Sequence, residues 1–129
     1  MRDLKNNLDV IHSLVPAAYT ASANGSGADL LGYEGAMVVF SIGAADFANG
    51  DEAYFPVVEE SADDSTYTVV PAEKLEGSLN FLAANSLQRV GYKGDQRYIR
   101  AHLAVSGTTP STQASALVVR GQPHAAPLA

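Results

Sequence analysis

Apolar residues recur at every second position along most of the chain and rarely at helical spacing. Between Arg97 and Val105, Ile99, Ala101, Leu103 and Val105 alternate with Tyr98, Arg100, His102 and Ala104, the pattern of a strand with one buried and one wet face. From Ala36 to Ile42 the alternation changes character. Ala36, Val38, Phe40 and Ile42 interleave with Met37, Val39 and Ser41, so both sides are largely apolar and a central strand is predicted. Further strands are predicted at Ala28 to Tyr33, ahead of a Glu34-Gly35 break, and at Ala53 to Glu60, Thr66 to Val70, Gln88 to Tyr92 and Ala114 to Arg120. Turn-forming residues separate them: Ser22 to Gly27, Gly43 to Glu52, and Ser61 to Ser65. In the last, Asp and Ser side chains can hydrogen-bond the local backbone, which predicts a hairpin. One helical turn fits Ala72-Glu73-Lys74-Leu75, before Gly77. Short strands with hardly any helix predict an all-β fold, an antiparallel β-sandwich or small barrel.

The ends read differently. Leu4, Leu8, Ile11 and Val15 fall on one helical face, with Asp3 as a cap and Pro16 as a stop, yet Asn6 and Asn7 are poor helix-interior residues. Residues 1 to 16 are therefore expected as an N-terminal arm, helical or extended, whose apolar side needs a surface. Residues 17 to 121 form the sandwich domain, and 122 to 129 a short C-terminal tail.

Composition agrees with strands. The hydrophobic fraction of 47% includes 21 Ala, and Val and Ile supply 15 of the larger side chains; branched residues favour pleated surfaces. The absence of Cys excludes disulfides, thiolate metal sites and a cysteine nucleophile. A net charge of −6 argues against nucleic acid as a partner. The opening residues lack the apolar run of a signal peptide, and no stretch approaches a membrane span, so a soluble protein made in the cytoplasm is expected.

Candidate chemistry is sparse. His12, His102 and His124 lie far apart without ligand-pair spacing, which speaks against a zinc site. Ser26 and Ser106 sit in Gly-flanked turns that lack a strand-to-helix elbow. Glu59 and Glu60 are adjacent on a strand, point to opposite faces and cannot flank one glycosidic bond. Asp46, Asp51, Glu52, Asp63 and Asp64 occupy two loops that would meet at one end of a sandwich, but their spacing fits no calcium loop and a solvated acidic rim is expected. No enzyme activity, metal or cofactor is anticipated. A carbohydrate- or receptor-binding module using Tyr33, Tyr54 and the loop from Asp46 to Glu52 is an alternative.

Charge is segregated along the chain. Four of the eight basic residues, Arg89, Lys93, Arg97 and Arg100, fall between positions 89 and 100, whereas positions 46 to 76 hold nine of the fourteen acidic ones. Such patches can set register between neighbouring subunits.

The run Val90-Gly91-Tyr92-Lys93-Gly94 leading into Arg97-Tyr98-Ile99-Arg100 resembles a signature of small proteins encoded among the head genes of tailed phages and prophages. Met1 to Leu8, Val118-Val119-Arg120-Gly121 and the Glu59 to Tyr67 hairpin look like the same family, with Ala62 and Ser65 where an Asp-Gly type turn would be usual. The resemblance implies an accessory head protein on the virion capsid surface, a decoration or cement protein, or a component of the head-tail joint. Its implied partners are the major capsid protein and further copies of itself, a trimer among the options. Protein contacts are then expected at Leu4, Leu8, Ile11, Arg89, Lys93, Arg97, Tyr98 and Arg100.

Overall fold

A computed structural model describes residues 3–123. Ten strands are arranged in two antiparallel sheets: β1 (Leu8–Tyr19), β2 (Ala23–Asn24), β3 (Ala28–Asp29), β4 (Tyr33–Ala45), β5 (Ala53–Ser61), β6 (Thr68–Val69), β7 (Leu75–Glu76), β8 (Ser86–Tyr92), β9 (Tyr98–Ser106) and β10 (Thr112–Pro123). The first sheet has the order β1-β10-β4-β8-β7; the second has the order β2-β9-β5-β6, with β3 also paired to β9. The two sheets pack face to face and do not close into a barrel, so the sandwich is the architecture adopted.

Alternation places the core where the pattern predicts. Val38, Phe40 and Ile42 of β4, Val90 of β8, and Ala114, Ala116 and Val118 of β10 meet Tyr54 and Val58 of β5 and Ile99, Ala101 and Leu103 of β9. Each fully buried Val, Leu, Ile or Phe side chain contributes roughly 1.5–3 kcal/mol relative to exposure. The predicted 72–75 turn is a 3₁₀ turn at Ala72–Lys74.

Several local expectations are corrected. Residues 8–19 are neither helix nor free arm: β1 pairs along β10 from Leu8↔Gly121 to Tyr19↔Thr112. The boundary at 16 to 17 therefore falls inside a strand. Register shifts at His12/Leu14 and Leu14/Ala17 break the alternation and turn Ser13 and Leu14 inward together, whereas of the helically spaced Leu4, Leu8, Ile11 and Val15 only Ile11 packs against the core. Removing residues 1–15 would take Leu14 out of the core. At the other end β10 runs through Gln122 and Pro123, opposite Tyr33, so the tail boundary at 121 moves outward; 124–129, with His124, lie outside the described residues. Glu34-Gly35 does not interrupt a strand, because β4 runs straight through it. The expected strand from Ala28 keeps only two paired residues before a turn in which Gly32 takes φ +91°, a conformation open to glycine.

Candidate functional site

The sheets' outward faces differ. On the first sheet the register aligns two rows of outward side chains. Val10 lies opposite Val119, Val119 opposite Met37, Met37 opposite Gly91, and Gly91 opposite Glu76. The next row runs His12, Leu117, Val39, Arg89. Beyond it, Leu87 pairs with Ser41 and is 66% exposed. The centre of this face carries no charge.

It is also low in relief. A Cβ on Gly121 would lie 2.9 Å from Leu8 Cδ2, and one on Gly91 would lie 3.1 Å from Glu76 Cβ, because neighbouring side chains fold over both glycines. Val10 is 52% exposed and Val15 62%, while Met37, Val39, Leu117 and Val119 shield one another and stay half-buried.

The second sheet's outward face is divided: Phe55, Val57 and Ala104 make one part apolar, and the other part is polar and internally paired. Arg100 Nε donates to Glu59 Oε1 at 2.7 Å, across the β5–β9 pair, and the guanidinium lies 4.0 Å from the Tyr67 ring centroid. Tyr67 Oη donates to Asp64, and burial, followed by that contact, pushes its hydroxyl pKa up. His102 Nδ1 meets Asn24 Oδ1 at 2.7 Å.

The basic run does not form one patch. Arg89 projects from the first sheet, while Tyr98 and Arg100 belong to the second. Lys93 pairs with Glu76 at 3.3 Å, and Arg97 binds both Asp29 oxygens at 3.0 and 2.9 Å. That bidentate contact holds Asp29 below the usual carboxylate range. Among the described residues Arg89 has no ion pair. The charge segregation of the sequence is thus largely spent inside the molecule, since β5 lies beside β9 and β7 beside β8. Of the expected contact residues, Leu4 is 67% exposed and Leu8 36%, whereas Ile11 packs against the core.

The two acidic loops do not meet. They flank opposite ends of the nine-residue β5, roughly 30 Å apart at about 3.3 Å rise per residue. Their carboxylates act as backbone acceptors: Asp51 binds Thr108 N and Oγ1, and Asp63 binds Ser65 N and Thr66 N. Among the described residues no group of three or more His, Asp or Glu could hold a metal ion. Glu59 and Glu60 do face opposite ways. Glu60 is 7% exposed and accepts the Tyr92 hydroxyl at 2.6 Å, joining the two sheets through the core. Burial, then that bond, raises the Tyr92 pKa. The Tyr33, Tyr54 and 46–52 constellation is dispersed. Tyr54 is fully buried and bonds the carbonyls of Asp46 and Ser111, whereas Tyr33 begins β4 at the far end of the sandwich.

No family model and no curated protein matches the chain. Among solved structures, a chain in that of infectious bursal disease virus, Gx strain, superimposes with a TM-score of 0.47 at 14% identity, covering 93% of this chain and 35% of that one. The present chain therefore spans about a third of that neighbour's length. No helix is long and apolar enough to cross a membrane among the described residues.

Sequence reasoning missed the first sheet's outer face as a candidate surface. The signal is present in Met37 and Val39, and in Leu117 and Val119, which make both sides of β4 and β10 apolar. A two-sided apolar strand reads as central and covered, and here it is central but covered on one side only.

Proposed function

We propose that this chain is a non-enzymatic structural protein of a phage virion, which decorates or cements the capsid shell through contacts with the major capsid protein. The observation that carries the reading is the β1 edge. Among the described residues β1 pairs only with β10 in its sheet, and its regular first half, Leu8 to His12, bears neither Lys nor Arg. Its one charged side chain, Asp9, is engaged by Arg120. Exposed strand edges template pairing with other chains unless charges, prolines or bulges blunt them. Here the bulges and Pro16 blunt only the second half. Leu4, Leu8 and Val10 flank the open part and supply the apolar contact. The resemblance of the Val90 to Arg100 run to phage head proteins supports the same reading. Many copies on a closed shell need only modest affinity each.

Mass spectrometry and cryo-EM of purified particles test this directly. Stoichiometric abundance with density on the shell surface is the expected result. Density at the head-tail joint would move the station and abolish the cementing role, and absence from particles would overturn the reading. Val10→Asp, which introduces charge at the open edge without touching the core, should detach the protein from shells while its melting temperature stays unchanged.

A further inference from the structure

We propose that the outer face of the first sheet is a self-association surface, pairing two copies of this chain about a twofold axis. The axis runs across the strands, between the Val119–Met37 row and the Leu117–Val39 row.

A twofold interface brings one patch against itself and therefore requires self-complementarity. Rotation about this axis keeps each strand above its own copy and exchanges the two rows. Val119 then lies over the partner's Leu117, and Met37 over the partner's Val39, apolar on apolar. Arg89 lies over the partner's Gly91, across which the partner's Glu76 side chain folds. One strand further out along that row is Glu76. Its side chain is 68% exposed and, with Lys93 as its neighbour at 3.3 Å, it has acceptor capacity left. The Arg89–Glu76 contact forms twice, once from each copy. Arg89, without an ion pair of its own among the described residues, thereby acquires one.

Dimensions agree. Four strands about 4.8 Å apart and four outward rows about 6.8 Å apart give a footprint of roughly 500 Å² per copy, about 1,000 Å² for the pair, the lower bound of a specific interface. The low relief over Gly91 and Gly121 lets two twisted sheets approach at the usual spacing of about 10 Å. The second sheet's face offers no equivalent charge pairing, because Arg100 and Glu59 already satisfy one another beside its apolar Phe55 and Val57.

Sedimentation equilibrium of the full chain, alone in solution, reads the association. The wild type should form a dimer. Arg89→Glu sets a second carboxylate against Glu76, and Glu76→Arg sets a second guanidinium against Arg89; each alone should weaken dimerisation at least tenfold. An equimolar mixture of the two variants restores opposite-charge contacts across the interface, so it should form a heterodimer. A merely structural effect of either substitution would not produce this rescue. Val119→Glu, at the centre of the face, should leave a monomer with an unchanged far-ultraviolet spectrum. A monomeric or trimeric wild type, a dimer indifferent to Val119→Glu, or a mixture that stays monomeric overturns the proposal. Because no shell is present, failure here is separable from failure of shell attachment.

Discussion

The outward faces of the two sheets are built from the same backbone geometry and are finished differently. On the second sheet, Arg100, Glu59, Tyr67 and Asp64 form one connected chain of polar contacts, so the charged part of that face, beside the apolar Phe55 and Val57, is satisfied by its own side chains. On the first, Met37, Val39, Leu117 and Val119 shield one another, and the flanking Arg89 has no ion pair among the described residues. A sheet face with an uncharged apolar centre leaves free energy to be gained by burial. A face whose charges are already paired gains little from a partner and loses hydration on contact. The difference directs attention to the first sheet, whose flanking charge is unpaired among the described residues, for contact with other proteins.

The largest expected effect concerns the sheet that carries the apolar face, because its edge is the chain's first strand. Deleting residues 1–15 removes Leu14, 3% exposed, together with most of β1, and should abolish cooperative melting; deleting only residues 1–7 should leave it intact. Circular dichroism with temperature distinguishes the two, and a cooperative transition in the longer deletion would show that the first sheet does not need β1. Next in size is Tyr92→Phe, which removes the bond joining the layers and leaves the buried Glu60 carboxylate without that donor. A loss of about 1–3 kcal/mol is expected by urea titration, and Glu60→Gln, which retains an acceptor for the hydroxyl, should cost less.

Smaller effects compare the faces themselves. Glu59→Ala should cost about 1–2 kcal/mol, since the Arg100 side chain is only 20% exposed and loses its carboxylate. Leu87→Ser on the opposite face, where the side chain is 66% exposed, should change stability by no more than about 0.5 kcal/mol. Equal losses on the two faces would erase the distinction. The smallest effect is electrostatic. Asp29, Asp51 and Asp63 all titrate below the ordinary carboxylate range because Arg97, Thr108 and the Thr66 and Ser65 backbone, respectively, favour their charged forms. Their contribution is present above the unfolded carboxylate pKa of about 4 and is lost as pH falls through the lower folded values. Melting temperature should hold level down to about pH 4 and fall below it, and Asp51→Asn should shrink that fall; an unchanged acid slope would show that the Thr108 contact is not maintained in solution.

Strand positions were legible because period-two alternation is a local property. β5 and β9 match the sequence reading to within a residue or so, and the buried face of β9 is the one the alternation names. β1 was not legible: Leu4, Leu8, Ile11 and Val15 fall at helical spacing although only Ile11 of them packs inward, and the bulges hide the true inward set by turning Ser13 and Leu14 in together. The charge runs misled for a related reason. Segregation along the chain says nothing about neighbours, and Glu59, Glu76 and Asp29 lie beside Arg100, Lys93 and Arg97. Tyr54 reads as a candidate binding residue because the type is common at surfaces; only the fold makes it a buried strap between two loops.

By itself the sequence determined the class of structure, strands rather than helices, the core-facing side of the most regular ones, and the absence of any cysteine chemistry. Those follow from side-chain period and composition. Which sheet each strand joined, which apolar sides were covered and which charges met were decided by tertiary structure, because pairing between strands distant in sequence depends on register and layer packing. Met37 and Val39 show the division clearly: the chain makes them apolar, and the fold leaves them facing outward.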